Sequence, residues 1–224
     1  MKKMLLCSLL INLSTIPIVG YFIYKKYKQV TSVSAADQRR ENRIDMFNML
    51  ETNENEIVFV GDSHIERCHW DELFNKPTIM NRGIGGDNSN GLLNRIEEIA
   101  AMSPLKLFIM IGINDIIIGR NPEAIILNYE KIIDKMKVAS PSTQLFVHSV
   151  LPSNDKKWVW DKIDPYKVIE VNNKLALLKG CIYIDLYSEF VTDKSLNRDF
   201  TTDGLHLSGK GYQKWKSVIE PYLD

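Results

Sequence analysis

Five positions scattered along the chain carry groups that acyl transfer needs: Ser63, Gly86, Asn114, Asp203 and His206. A serine hydroxyl can attack a carbonyl carbon, and a histidine such as His206 can take its proton. Asp203, three residues before that histidine, can orient the ring and stabilise the imidazolium, and Gly204 lets the loop fold so that both side chains face one site. Gly86 offers a backbone N–H unobstructed by a side chain, and Asn114 offers a side-chain amide. With the N–H of Ser63 they make three donors for an oxyanion.

Each stretch taken alone is common. Gly61-Asp62-Ser63 also makes ordinary turns. The loop Gly83 to Gly86 lacks the Gly-x-Gly-x-x-Gly spacing and the following acid of a dinucleotide loop. Gly112-Ile113-Asn114-Asp115 also fits a turn, and Asp203 and His206 also fit a solvated loop or two metal ligands. Their combination carries the weight. Asp62, His64, Glu66, Cys68 and His69 crowd together like metal ligands, but His69 does not share the helical face of His64 and Cys68, so neither a metal site nor any cofactor is expected. His148 closes an apolar run and reads as a hydrogen-bonded core or pocket-edge histidine in preference to the base. Trp158 and Trp160 sit in the long loop 151–164, suited equally to stacking on a sugar or acyl chain and to packing the loop.

The elements that must position these residues follow from the apolar pattern. Ile57-Val58-Phe59-Val60 is apolar on both faces, as in a buried strand of a parallel sheet. Gly61 then permits a sharp turn and leaves Ser63 at the strand's carboxyl end, where open α/β sheets place their ligands. Further strands are predicted at 78–81, 105–111, 145–150 and 181–186. Helices are predicted from Asp37, over 65–74, through Leu92–Ala100 with Asp87, Asn88 or Ser89 as cap, over 122–138, over 165–178 and from Ser208 to Ile219. Five strands alternating with helices imply one parallel sheet with helices on both faces. Gly83–Gly86, Gly112–Asp115 and Asp203–His206 then all fall at the strands' carboxyl edge.

Lys plus Arg and Asp plus Glu each number 28, so the net charge is zero and no basic excess points to nucleic acid. Cys7, Cys68 and Cys181 offer neither a disulfide framework nor a metal pair. Met4 to Tyr24 holds no charge, is bracketed by Lys2, Lys3, Lys25, Lys26 and Lys28, and is long enough to span a bilayer as a helix. Val33-Ser34-Ala35 resembles a signal-peptidase site but lies beyond the basic cluster, so a retained single-pass anchor is the expectation. Lys2 and Lys3 favour an inside N-terminus and an extracytoplasmic catalytic domain, the orientation adopted, although the basic residues after the span argue the opposite.

The order Gly61-Asp62-Ser63, Gly86-Asp87, Gly112-x-Asn114-Asp115 and Asp203-x-x-His206 resembles the SGNH/GDSL hydrolases, over roughly residues 57 to 210. Asn81 to Asp87 is most similar to the branch holding platelet-activating-factor acetylhydrolase-like and bacterial carbohydrate esterases. His64 stands where the family name implies Leu. The resemblance implies a three-layer α/β/α, flavodoxin-like fold with a five-stranded parallel sheet and metal-independent ester hydrolysis. By position it implies Ser63 as nucleophile, Asp203 and His206 as its partners, and Ser63, Gly86 and Asn114 as the oxyanion hole. The chain then divides into an anchor over 1–28, a linker and helix over 29–52, and an esterase domain over 53–224. The expected substrate is a small-molecule, glycan or lipid ester carrying a short acyl group such as acetyl. The alternatives are a lysophospholipase or thioesterase acting on long acyl chains, and a non-catalytic cell-envelope binding domain.

Overall fold

A computed structural model describes Gly20, Tyr21 and residues 35–52, 56–154 and 163–223. The expected anchor, apart from Gly20 and Tyr21, and the two loop tryptophans Trp158 and Trp160 lie outside the described residues. Among the described residues no helix is long and apolar enough to cross a membrane.

Helix α1 (Ala35–Met49) precedes strand β1 (Ile57–Gly61). Two short helices follow, α2 (Ser63–Glu66) and α3 (Trp70–Phe74), and then β2 (Ile79–Gly83). Next come α4 (Ser89–Ala101), β3 (Lys106–Met110), α5 (Ile113–Ile117), α6 (Pro122–Ala139) and β4 (Gln144–His148). The last stretch holds α7 (Pro165–Leu175), β5 (Ile182–Ile184), α8 (Tyr187–Phe190), the small hairpin β6 (Val191–Thr192) and β7 (Ser195–Leu196), and α9 (Gly209–Ile219).

Strands β1 to β5 form one parallel sheet in the order β2-β1-β3-β4-β5. The direction of strand addition reverses between β1 and β3, which leaves a crevice at their carboxyl ends. Alternate residues of β1 feed two different cores. Val58 and Val60 join an aliphatic layer with Leu92 and Ile96 of α4, Ile125 and Ile132 of α6, and Val168 and Val171 of α7. Ile57 and Phe59 join an aromatic layer with Trp70 of α3 and Trp215 of α9. In that layer Phe59 stacks on both Trp70 and Phe108, with ring centroids 4.5 and 4.8 Å away. Burial of both faces explains why the strands read as continuous apolar runs instead of alternating ones.

Two departures from the predicted elements have a clear physical cause. The single helix predicted over 65–74 is two, because its carbonyls are claimed from outside. The Asn81 side-chain amide donates to the carbonyls of Ile65, Glu66 and Cys68 at 2.8, 3.1 and 2.8 Å, and the Trp70 indole donates to Ile65 O at 2.9 Å. Strand β2 also runs to Gly83, into the stretch read as loop, with Gly61 and Gly83 paired across the strands. A side chain at Gly83 would put its Cβ 2.3 Å from the Glu66 backbone nitrogen, so only glycine lets β2 approach α2 this closely.

Candidate active site

Ser63 opens α2 directly after β1. A Cβ at Gly61 would come within 2.0 Å of the Met110 carbonyl oxygen, so the bend out of β1 requires glycine. Asp62 caps the turn by accepting the His64 N–H at 2.9 Å. Ser63 Oγ lies 3.0 Å from His206 Nε2, and His206 Nδ1 lies 2.6 Å from Asp203 Oδ2. Since a carboxylate only accepts, Nδ1 carries the hydrogen and Nε2 is left to accept from the serine hydroxyl.

The loop bearing Asp203 and His206 is held largely by its own groups. Asp203 Oδ1 accepts the backbone N–H groups of Leu205 and His206 at 2.9 and 2.7 Å. Thr201 donates its hydroxyl to His206 O at 2.7 Å and accepts from Gly204 N at 2.9 Å. Gly204 has φ +86°, and a Cβ there would fall 2.4 Å from Asn154 O. The same glycine's carbonyl accepts the Asn154 N–H at 2.6 Å, so the segment after β4 is stitched to the Asp203–His206 loop. Partial burial pushes the Asp203 carboxyl up. The hydrogen bonds from the His206 ring and from the Leu205 and His206 amides outweigh this and bring it to about 2. Burial foremost, with the charges of His64 and Arg67, holds His206 below the usual histidine value against the opposing pull of Asp203. His206 is therefore neutral near pH 7, the state a general base needs.

On the other side of Ser63, Gly86 has φ +79°, a conformation that favours glycine even though a Cβ there would meet open space. A Cβ at the neighbouring Gly85 would lie 2.5 Å from Glu66 Oε2 and 3.9 Å from Ser63 Cβ, which brings this loop against the serine. Asn114, in the first turn of α5, donates from Nδ2 to Asp87 O at 2.8 Å. Its amide nitrogen has a second hydrogen for another acceptor.

Sequence reading missed the residues that hold this side. Arg95 of α4 is buried; its Nε donates to Asp87 Oδ2 at 3.0 Å, and its terminal nitrogens reach the carbonyls of Arg82 at 2.8 Å and Gly61 at 3.3 Å. One guanidinium thus joins the ends of β1 and β2 to the loop bearing Gly86 and Asp87. Asp115 is also buried: it accepts from Ser89 N and Ser89 Oγ at 2.8 and 2.7 Å and lies 3.1 Å from Arg120 Nε. Burial pushes its carboxyl up, opposed by Ser89 and Arg120. Asn128 of α6 donates to Ser89 Oγ at 2.7 Å. A signal for Arg95 is present in the sequence. It falls on the stripe of Leu92, Ile96 and Ile99, where an arginine is expected only with a buried partner.

Other candidates resolve differently. Asn88, not Asp87 or Ser89, caps α4, accepting from Gly91 N at 3.1 Å. Those neighbours are committed to Arg95 and Asp115. His148 is buried between the rings of Phe108 and Trp215, and neither of its ring nitrogens has a hydrogen-bond partner among the described residues, contrary to the hydrogen-bonded role expected. Burial lowers it to about 3, so it stays neutral. In the His64 cluster, His69 is exposed and faces Glu72 at 3.6 Å, while burial pushes the Cys68 thiol up to about 12. No group of three or more metal-ligating side chains converges among the described residues.

The sequence model of the GDSL-like lipase/acylhydrolase family matches residues 59–214. Platelet-activating factor acetylhydrolase IB subunit alpha2 of Rattus norvegicus is 28% identical over 174 residues, 72% of each chain. A GDSL-like lipase structure from Bacteroides thetaiotaomicron superposes with a TM-score of 0.70 at 24% identity, covering 84% of this chain and 97% of that one. A family 3 carbohydrate esterase of Clostridium thermocellum shares the fold with a TM-score of 0.54 at 21% identity, covering 76% and 98%.

Proposed function

The chain belongs to the GDSL-like lipase/acylhydrolase family and is a carboxylic ester hydrolase, and from that premise we propose that it removes a short acyl group, acetyl first among them, from a carbohydrate or lipid ester. The observation that carries the mechanism is the unbroken chain Ser63 Oγ to His206 Nε2 at 3.0 Å and His206 Nδ1 to Asp203 Oδ2 at 2.6 Å. Ser63 attacks the ester carbonyl while His206 takes its proton, and Asp203 stabilises the imidazolium that results. Negative charge gathers on the carbonyl oxygen. Gly86 N–H, Ser63 N–H and the second Asn114 amide hydrogen meet it. His206 returns the proton to the leaving alkoxide, leaving an acyl group on Ser63. A water that gives one proton to His206 attacks the acyl carbonyl, and His206 passes that proton to Ser63 Oγ as the C–O bond breaks and the acid leaves. The acetyl preference is supported by the acetylhydrolase relative.

The test is hydrolysis by the full-length chain, in detergent, of esters from acetyl to palmitoyl with acetylated sugars in the same panel, beside Ser63→Ala. Turnover should fall steeply with acyl length and be lost in Ser63→Ala, with the fold intact. A maximum at long chains overturns the short-acyl reading, and undiminished turnover in folded Ser63→Ala overturns the nucleophile. Residues 1–28 are proposed to anchor the domain to a membrane with the domain extracytoplasmic, on the strength of the uncharged run Met4–Tyr24. Recovery of the full-length chain, N-terminus intact, in the soluble fraction contradicts the anchor.

A further inference from the structure

His64 follows the proposed nucleophile in sequence and is 1% exposed, yet its ring touches the other half of the site. Its Nδ1 lies 3.1 Å from Asp62 Oδ1, and its Nε2 lies 2.9 Å from the carbonyl oxygen of Leu205. Leu205 is the residue before His206, 141 positions away along the chain. Both contacted atoms are oxygens placed as acceptors: Leu205 O is a carbonyl, and Asp62 Oδ1 already takes the His64 backbone N–H at 2.9 Å. A neutral imidazole has one N–H and can satisfy only one of them; an imidazolium has two and satisfies both. The His64 carbonyl is fixed in turn, accepting the Tyr212 hydroxyl of α9 at 2.8 Å.

We infer that His64 is a positioning residue for this site: as an imidazolium seated on Asp62, it holds the Leu205 carbonyl and so sets the Asp203–His206 loop against Ser63. The inference rests on the Ser63–His206–Asp203 reading. The position before each reacting group is thereby tied to the other. Asp62 and His64 flank Ser63, Leu205 precedes His206, and a single side chain spans the gap.

The charge has a second effect. The rings of His64 and His206 lie 5.7 Å apart between centroids. A fixed positive charge there disfavours protonation of His206 and keeps it a base. The charged or titratable groups around the His64 ring are Asp62 beside it, Arg67 at the end of α2, Asp203 and His206 on the acid–base loop, and Tyr212 on α9. Burial opposes the His64 charge, while Asp62 and the Leu205 carbonyl favour it and prevail.

Two variants separate the roles. His64→Gln keeps an amide donor near the Nε2 position but removes the charge. His64→Leu removes both. The Gln variant should keep kcat at the alkaline plateau within a few-fold, with the acid limb of kcat/KM moved to higher pH. The Leu variant should lose roughly 10- to 100-fold in kcat with KM little changed, the effect of a slightly misplaced base. Equal kcat in the two variants together with an unmoved acid limb would reduce His64 to a packing residue. Nitrogen-15 spectra of the full-length wild type in detergent give a readout that needs neither turnover nor a folded variant. One histidine should carry hydrogens on both ring nitrogens at pH 7.5, and Ser63→Ala should leave that signal in place. A neutral His64 ring at that pH overturns the inference. Retained turnover in Ser63→Ala would instead sink the nucleophile assignment while the histidine signal remained.

Discussion

Asp203 has 42% of its side chain in solvent, while the side chains of Asp87 and Asp115 across the crevice are 1% and 0% exposed. The two sides of Ser63 are built by different means. The Asp203–His206 loop is shaped mainly by its own groups: the side chains of Asp203 and Thr201 bond within five positions along the chain, with Asn154 and His64 tying the loop to the rest of the fold. The side bearing Gly86 and Asn114 is assembled from distant pieces. Arg95 reaches back 34 positions to Gly61, Asp115 reaches 26 to Ser89, and Asn128 reaches 39 to the same serine. A histidine that passes a proton can sit on a small loop whose carboxylate partner is partly in solvent, needing only that partner at the right distance. Donors that must receive a developing charge without reorganising gain from a dry and rigid frame. Such a frame needs buried charges, and buried charges need partners brought from elsewhere in the fold.

The comparison can be broken most sharply at Asp203. Asp203→Asn keeps an oxygen for the Leu205 and His206 amides but presents a neutral group to the ring and favours the wrong tautomer. We expect kcat to fall about 10⁴-fold, with a melting temperature within about 2–4 °C of wild type. A large loss of stability there would show that the loop is not self-contained.

Arg95→Met probes the opposite side. It leaves Asp87 buried without its guanidinium, and a broken buried pair costs about 3–5 kcal/mol. The melting temperature should drop by about 6–20 °C, kcat should fall with it, and Asp87→Asn in the same chain should recover part of the stability. Calorimetry and turnover measured on one preparation check both. If Arg95→Met were as stable as wild type, the long-range frame would be ornamental.

Asn114→Ala removes one donor and leaves the frame standing. A loss of about 10²–10³ in kcat, with little change in KM, is expected. Near-normal kcat would reduce Asn114 to a support for the Asp87 carbonyl.

The smallest effect is in pH. Because burial and the charges of His64 and Arg67 hold His206 below the usual histidine value, the acid limb of kcat/KM should lie below pH 6.5. Protonation of His206 removes the base, so activity falls as pH falls through that limb. Arg67→Ala deletes one positive neighbour of the ring and should move the limb upward. A downward move would contradict the electrostatic ordering of the acid–base side.

Much of this was open to reading before any coordinates. Apolar runs buried on both faces mark the β1 and β3 strands, and Pro122, Pro165 and Ser208 mark helix starts, because strand period, proline and caps act within a few residues. Ser63, Gly86, Asn114, Asp203 and His206 stand out by type and by their place after strands. The break between α2 and α3 does not, since the amide that takes its carbonyls comes from Asn81 on another strand.

By itself the sequence determined the five-stranded α/β class, the order of the four motifs and the composition of the candidate site. Those are set by short-range patterning, which each segment carries alone. Only the tertiary structure decided which groups hold the site in place. Arg95, Asp115 and His64 act through hydrogen bonds to partners 8 to 141 positions away. A contact of that kind has no period and no fixed spacing. It exists only once burial has removed water as a competing partner and left each buried charge a single place to go.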